Sequence, residues 1–500
     1  MKFSRKSWRW VIVCILAHTT VFAAPRPNII VILADDLGYG DVHALNPEKG
    51  QIPTPGMDRL AKEGMIFTDA HSNSSVCTPT RYGVLTGRYS WRTHKQSGVL
   101  FGFDQPLIAE DRLTVAGLLQ QHGYQTAIVG KWHLGLGLVD SDGRPTRGQR
   151  APVDGVNWEK RITGGPVDLG FDYWYGISAS LDMPPYIWIE NDQFVGTCTT
   201  TKAFHRKGPA HADFEAIDVL DEIGRKSAEF LQRQSEEKPF FLYVPLTSPH
   251  APIVPSDQWR GKSSLGLYGD FVMQTDAIVA RITAAVDKVG LAENTMIVVT
   301  SDNGCSKVAD IPALKRQGHF PNAQFRGSKS DLWDGGHRVP FLVRWPAGVK
   351  AGSTSDEVIC LTDLMATCAE LSGAKLPSHA GEDSVSFVPA LAGKPIESSR
   401  KGIVHHSVSG QFAYREGKWK LLLTRASGGW TKEKMEDDSP AQLYDMEVDP
   451  EEQHNLYKSH PEVVDRLLNQ LEDIVAKGRS TPGPATKNDI ANIRLKKGRR

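Results

Sequence analysis

The stretch Asn28-Ile29-Ile30-Val31-Ile32-Leu33-Ala34-Asp35-Asp36 decides the fold class. A run of aliphatic residues with no polar alternation reads as a strand covered on both faces. It stops abruptly at two carboxylates. The pattern returns at Met296-Ile297-Val298-Val299-Thr300, which runs into Asp302-Asn303. Further strands are expected over 126–132, 240–246 and 339–345. Helical spacing lies between them: Thr54 caps a helix through Met57, Leu60 and Ala61 that Gly64 stops, and residues 214–231 and 269–289 keep an apolar stripe. Strands alternating with helices predict an α/β sheet protein. Polar residues cluster just beyond the C-terminal ends of the strands, where open α/β sheets place their sites.

Outward from this framework the signals weaken. Residues 135–215 are rich in Gly, Pro and aromatics and read as long loops, which in compact domains are usually functional. A Gly/Pro/Ser-rich stretch at 372–395 suggests a boundary. Beyond it, residues 412–423 suggest a hairpin turning at Glu416-Gly417, and 462–476 an amphipathic helix. The polar tail from Thr481 ends in Lys496-Lys497-Gly498-Arg499-Arg500 and reads as a frayed end. No internal repeat is evident.

The 500 residues carry 58 basic and 58 acidic side chains. Balanced charge argues against nucleic acid or an anionic membrane as partner, since both require a clustered positive excess. At the N-terminus, Lys2, Arg5, Lys6 and Arg9 precede an apolar run from Val11 to Ala17 and a small-residue site around Val21-Phe22-Ala23. This predicts a signal peptide over 1–24 and export to the periplasm or medium, since the run falls short of the ~20 residues a membrane span needs. Of six cysteines, Cys14 lies in that signal. Cys198, Cys305, Cys360 and Cys368 are even in number, leaving two disulfides or free buried thiols open.

Two strand ends, Asp35-Asp36 and Asp302-Asn303, supply three carboxylates and a carboxamide. Such hard oxygen donors suit Ca²⁺ or Mg²⁺ and lack the His/Cys ligands of zinc. Cys77-Thr78-Pro79-Thr80-Arg81 opens a third element, with Pro79 suited to a first helical turn. Residue 77 then lies where the helix dipole favours negative charge, and Arg81, one turn on, can reach back to a negative group there. Lys131 and His133 follow the second strand in Gly130-Lys131-Trp132-His133-Leu134-Gly135. His250 follows another in Ser248-Pro249-His250-Ala251-Pro252. Lys329 leads into Asp334-Gly335-Gly336-His337-Arg338-Val339-Pro340.

Residues 77–87 fit C-x-P-x-R-x₃-L-T-G, which resembles the type I sulfatase signature. D-D-x-G-x-G-D at 35–41, G-K-W-H-x-G at 130–135, P-H-x-P at 249–252, S-D-N-G at 301–304 and G-x-K-x₄-D-G-G-x-R-V-P at 327–340 resemble further blocks of that family, in order; Asp334 stands where the family usually has Glu. The resemblance implies a large domain over 25–380 with a mixed, mostly parallel central sheet flanked by helices. A smaller C-terminal domain over 381–500, with an antiparallel sheet and a helix, is also implied. A maturation enzyme would oxidise Cys77 to Cα-formylglycine (3-oxoalanine), whose hydrate is the nucleophile. Asp35, Asp36, Asp302, Asn303 and residue 77 would hold Ca²⁺, with Mg²⁺ still open. Lys131 and Lys329 would bind sulfate oxygens, His250 would protonate the leaving oxygen, and His133 would take a proton from the second hydroxyl. Ser180, in Gly176-Ile177-Ser178-Ala179-Ser180-Leu181-Asp182, matches a segment that carries a hydroxyl ligand to the substrate.

The expected substrate is a sulfated small molecule or carbohydrate, a glycosaminoglycan or algal polysaccharide suiting an exported enzyme. Trp174, Tyr175, Tyr186, Trp188 and the basic run His205-Arg206-Lys207 suit a sulfated sugar, although most of these aromatics are expected to pack internally. A phosphoryl hydrolase of the same superfamily and a catalytically silent sugar-binding homologue are the alternatives.

Overall fold

The computed structural model describes residues 26–151, 155–397, 400–433 and 437–495. The signal peptide expected over 1–24 and the basic end at 496–500 lie outside the described residues. No described helix is long and apolar enough to cross a membrane.

Five parallel strands form the centre of a ten-stranded sheet, in the order Thr295–Ser301, Asn28–Asp35, Phe240–Pro249, Gln125–Lys131 and Tyr173–Ile177. Phe341–Arg344 joins one side antiparallel, followed by Met65–Phe67 and Ser353–Ser355. Ile189–Glu190 and Gln193–Phe194 extend the other side. The 28–35 run is apolar throughout because its two faces enter different cores. Ile29, Val31 and Leu33 pack with residues of the helices Cys77–Thr86, Val115–Gln121 and Leu364–Ser372. Ile30, Ile32 and Ala34 pack with residues of Pro55–Glu63, Val219–Leu231 and Gly266–Lys288. The mixed, mostly parallel sheet flanked by helices is thus observed.

The expectation of long loops over 135–215 needs correction. Tyr173–Ile177 within it is a strand of the central sheet. Its neighbour carries Gly130 at φ +136°, and a Cβ on the paired Gly176 would stand 1.8 Å from the Gly130 carbonyl oxygen. Two glycines in register are what let these strands approach. The aromatics of this region mostly pack on one another: Trp174 is buried against Trp132, and Tyr175 stacks on Trp188 at 4.9 Å.

Residues 403–445 form a four-stranded antiparallel sheet, Ile403–His406, Phe412–Glu416, Trp419–Leu422 and Gln442–Asp445. The helix Pro461–Lys477 buries Val463, Val464, Leu467, Leu471 and Ile474 in the cluster that holds Phe412, Tyr414, Leu421 and Leu443. Polar clamps fix this sheet to the main one. Arg415 donates two hydrogen bonds to Asp69 (2.8 and 2.7 Å), and Lys420 bridges Asp334 (2.6 Å) and Glu452 (2.7 Å). Asp334, the departure from the family pattern, is therefore a buried cross-link. Between the clamps His405 stacks on His337 at 3.7 Å, and His337 Nδ1 meets His71 Nδ1 at 3.0 Å. Parallel rings this close cannot both aim lone pairs at one ion, so the trio is packing rather than a metal centre. Cys198, Cys305, Cys360 and Cys368 are free thiols.

Burial pushes His71, His337 and His405 below the ordinary imidazole range. Each is neutral when folded and gains a proton on unfolding below about pH 6.5. Their stabilising contribution is full above that pH and is lost as pH falls. The stability gap between wild type and His405→Gln should close by about 1.4 kcal/mol per pH unit below about 6.5. Denaturant unfolding on either side of that pH checks this; a gap that stays constant would contradict it.

Candidate active site

Register places the chemistry. Leu33 pairs with Thr300 and Ala34 with Ser301, so Asp35-Asp36 and Asp302-Asn303 leave adjacent strand ends together. On the other side Asp35 pairs with Pro249, one residue before His250, and the next strand ends at Lys131. All of these side chains therefore meet beyond the C-terminal edge of the parallel strands, as open α/β sheets require. Asp36 (φ +68°) and His133 (φ +58°) both adopt the left-handed backbone, which non-glycine residues hold only where surrounding contacts impose it.

Residue 77 is the first residue of the helix Cys77–Thr86 and is buried. The L-T-G end of the signature has a structural cause: Gly87 closes the helix at φ +60°, and a Cβ there would meet Met365 Cβ at 2.6 Å. Burial pushes the Cys77 thiol up despite Lys131 and Lys329 nearby. This disfavours a low-pKa thiolate as the nucleophile.

Arg81 makes its closest hydrogen bonds within the acidic group. Its Nε and Nη2 donate to Asp302 Oδ2 at 3.0 and 2.7 Å, and its Nη1 donates to the Lys131 carbonyl at 3.3 Å. The guanidinium is held by the acidic group, with residue 77 near enough for a negative charge there to favour it as well. Lys131 Nζ lies 2.6 Å from Asp35 Oδ2, and Lys329 Nζ lies 2.6 Å from Asp36 Oδ1. Burial works against ionisation of Asp35, but Lys131, His250, Arg81 and Lys329 together hold it well below the usual range. Asp302 goes the other way, pushed up to about 6 by burial and by Asp35.

The donor set fits a hard divalent cation. Asp35 Oδ1 and Asn303 Oδ1 are buried without a hydrogen-bond partner. Asn303 Nδ2 donates to Asp36 Oδ1 at 2.8 Å, which fixes the amide so that its oxygen is the free atom. Ligand atoms of Asp35, Cys77 and Asp302 lie within 4.8 Å of one another.

The two histidines are held by opposite nitrogens. His133 Nε2 donates to the Leu100 carbonyl at 2.8 Å, while its buried Nδ1 has no partner. Burial, then Lys131 and Arg81, hold this ring well below the ordinary imidazole range, so Nδ1 is a free lone pair. His250 Nδ1 faces the Ala251 carbonyl, and its Nε2 stands 3.8 Å from Asp36 Oδ2. Ser180 Oγ links Lys131 Nζ (3.2 Å) to His250 Nδ1 (3.3 Å), so the weakest sequence match also lands in the site. Periodicity did not point to Leu100, since its contribution is a backbone carbonyl, nor to Thr78, whose hydroxyl donates to the His133 carbonyl at 3.0 Å.

Comparison with known proteins agrees with this geometry. The sulfatase family model matches residues 27–374, and one described as N-sulphoglucosamine sulphohydrolase, C-terminal, matches residues 328–477. An N-acetylgalactosamine-6-O-sulfatase of Bacteroides thetaiotaomicron is 34% identical over 495 residues, covering 90% of this chain and 93% of that protein. Arylsulfatase A of Bos taurus is 30% identical over 493 residues, covering 93% and 90%. A solved structure from work on glycosaminoglycan metabolism by Bacteroides thetaiotaomicron superposes with a TM-score of 0.79 at 33% identity, covering 90% of this chain and 99% of that one. A structure described as Ps i-CgsB in complex with k-i-k-neocarrahexaose gives 0.69 at 25% identity, covering 93% and 95%. With the acidic strand ends, the lysines and residue 77 of the helix start gathered at one sheet edge, and with matches of this extent, the chain belongs to the sulfatase family and is a sulfatase.

Proposed function

We propose that this sulfatase releases inorganic sulfate from a sulfated carbohydrate, with N-acetylgalactosamine 6-sulfate the first sugar to test, using residue 77 after its oxidation to formylglycine by a maturation enzyme. The observation that carries the reading is the placement of residue 77. It starts a helix, is buried, and shares its pocket with Asp35, Asp302 and the charges of Lys131 and Lys329. The choice of sugar is supported by the 34% identical N-acetylgalactosamine-6-O-sulfatase. The charged-then-apolar stretch at 1–24 supports export to the periplasm or medium, where sulfated polymers are met.

Asp35, Asp36, Asp302, Asn303 and residue 77 would hold Ca²⁺, with Mg²⁺ the smaller alternative. When bound, the cation supplies Lewis-acid polarisation of the sulfate oxygens. Lys131 and Lys329 bind sulfate oxygens and stabilise the charge that develops on them. Their present partners, Asp35 and Asp36, keep both ammonium groups aimed into the site. The nucleophile at residue 77 attacks sulfur. His250 presents Nε2 to the departing oxygen and hands it a proton. Neutral His133, anchored through Nε2, offers Nδ1 as the base that takes the proton of the second hydroxyl of the hydrate; the C–O bond to the transferred sulfate then breaks, sulfate leaves and the aldehyde at residue 77 returns. Ser180 orients Lys131 and His250 toward the substrate.

Protein produced alongside a maturation enzyme should release sulfate from N-acetylgalactosamine 6-sulfate. Cys77→Ala should lower kcat by about 10⁴-fold or more. A variant that retains a tenth of wild-type turnover would sink the mechanism. Chelation should abolish turnover and added Ca²⁺ should restore it; full activity after exhaustive chelation would exclude the hard-cation site.

Arg81 acts on the acidic group rather than on the substrate, so its loss should register first in stability. Removing one partner of a fully buried pair leaves an uncompensated charge, here Asp302. Arg81→Leu should therefore cost about 3–5 kcal/mol in urea unfolding. A loss below about 1 kcal/mol would mean that this charge is satisfied elsewhere.

A further inference from the structure

The basic run His205-Arg206-Lys207 has no part in the chemistry above. It lies at the turn of a hairpin formed by Thr200–Ala203 and Lys207–Ala210. The turn is rigidly placed. Tyr186 donates its hydroxyl to the Arg206 carbonyl, and Phe204 packs edge-on against Tyr186 at 4.8 Å. A Cβ on Gly208 would stand 2.3 Å from Pro184 Cβ, so the hairpin is pressed onto the segment that follows Ser180.

Arg206 faces two loops that carry site residues. Its Nη1 pairs with the Asp182 carboxylate, two residues beyond Ser180, and its Cζ lies 5.9 Å from the Phe101 ring. Phe101 follows Leu100, whose carbonyl anchors His133. Asp182 is close enough to the reaction centre that, against burial, His250, Arg206 and Lys131 hold its carboxyl below the usual range.

The pair is half satisfied. Asp182 Oδ1 is buried without a hydrogen-bond partner of its own, while the Ser180 hydroxyl beside the carboxyl helps to hold it ionised. Among the described residues, Arg206 Nε and Nη2 make no hydrogen bond, and its side chain is 26% exposed while that of Asp182 is 8% exposed. A buried carboxylate oxygen without a donor calls for an explanation, because it forfeits solvation without recompense. An open acceptor beside open, coplanar guanidinium donors matches adjacent hydroxyl or acetamide groups on a sugar ring.

We propose that Asp182 and Arg206 form a clamp that recognises neighbouring polar substituents of the sulfated sugar, and so sets specificity for carbohydrate over aryl sulfate esters. Asp182 Oδ1 accepts from one ring hydroxyl, and the open edge of Arg206 donates to the adjacent oxygen. This rests on the carbohydrate reading above.

The test compares kcat/KM on N-acetylgalactosamine 6-sulfate and on 4-methylumbelliferyl sulfate, whose ring offers no hydroxyl pair, for wild type, Asp182→Asn and Arg206→Ala. The sugar value should fall about 10²-fold further than the aryl value in both variants, chiefly through KM. Arg206→Lys keeps the charge without the planar fork and should show the same selective loss, which serves if the alanine variant is unstable. Equal proportional losses on both substrates, or no loss on either, would overturn the clamp. A wild type that cleaves the aryl ester but not the sugar would remove the carbohydrate reading, and the clamp with it.

Discussion

Three carboxylates and a carboxamide, delivered by two adjacent parallel strands into a space closed to solvent, set the constraint that the rest of the structure answers. Asp35, Asp302 and Asn303 are fully buried and Asp36 nearly so. Left alone, such a group would repel itself and protonate. Arg81, Lys131 and Lys329 come from three distant parts of the chain to offset it, each at 2.6–2.7 Å from its closest carboxylate oxygen. Three fixed cations against three carboxylates leave the site close to neutral. A bound dication would then make it positive, which is the state that receives an anionic ester.

This balance explains why the C-terminal sheet matters to a site it does not line with catalytic groups. Lys329 sits in a segment whose next residues are held from both sides. Ser330 N donates to the Ser75 carbonyl at 2.7 Å, and Asp334 is bound to Lys420 of the C-terminal sheet. The backbone that leads into residue 77 is tied there as well, through Ser75 N to the His406 carbonyl at 3.1 Å. Residue 77 and Lys329 are thus positioned by the same interface, and the buried histidine stack lies within it.

Much of this was legible in the chain because its causes are local. The 28–36 and 296–303 runs announce buried strands ending in oxygen donors, and parallel pairing does the rest. The signature at 77–87 is a helix start and a glycine stop written as a motif. What escaped is non-local or backbone-borne. Arg81 follows the motif, yet its partner is 221 residues away and cannot be read from spacing. Leu100 acts through a carbonyl. The strand at Tyr173–Ile177 hides in a Gly- and aromatic-rich region because its pairing depends on Gly130, not on hydrophobic alternation. Asp334 reads in the sequence only as a departure from the family's Glu, and its role shows once Lys420 is placed beside it.

The central claim is that residue 77 works as an aldehyde hydrate and not as a thiol. Mass spectrometry of the tryptic peptide ending at Arg81, from protein made in its natural host or alongside a maturation enzyme, tests it most directly. The account predicts a peptide carrying formylglycine at residue 77 that reacts with aldehyde-specific reagents. An unmodified cysteine in protein that still releases sulfate would contradict it.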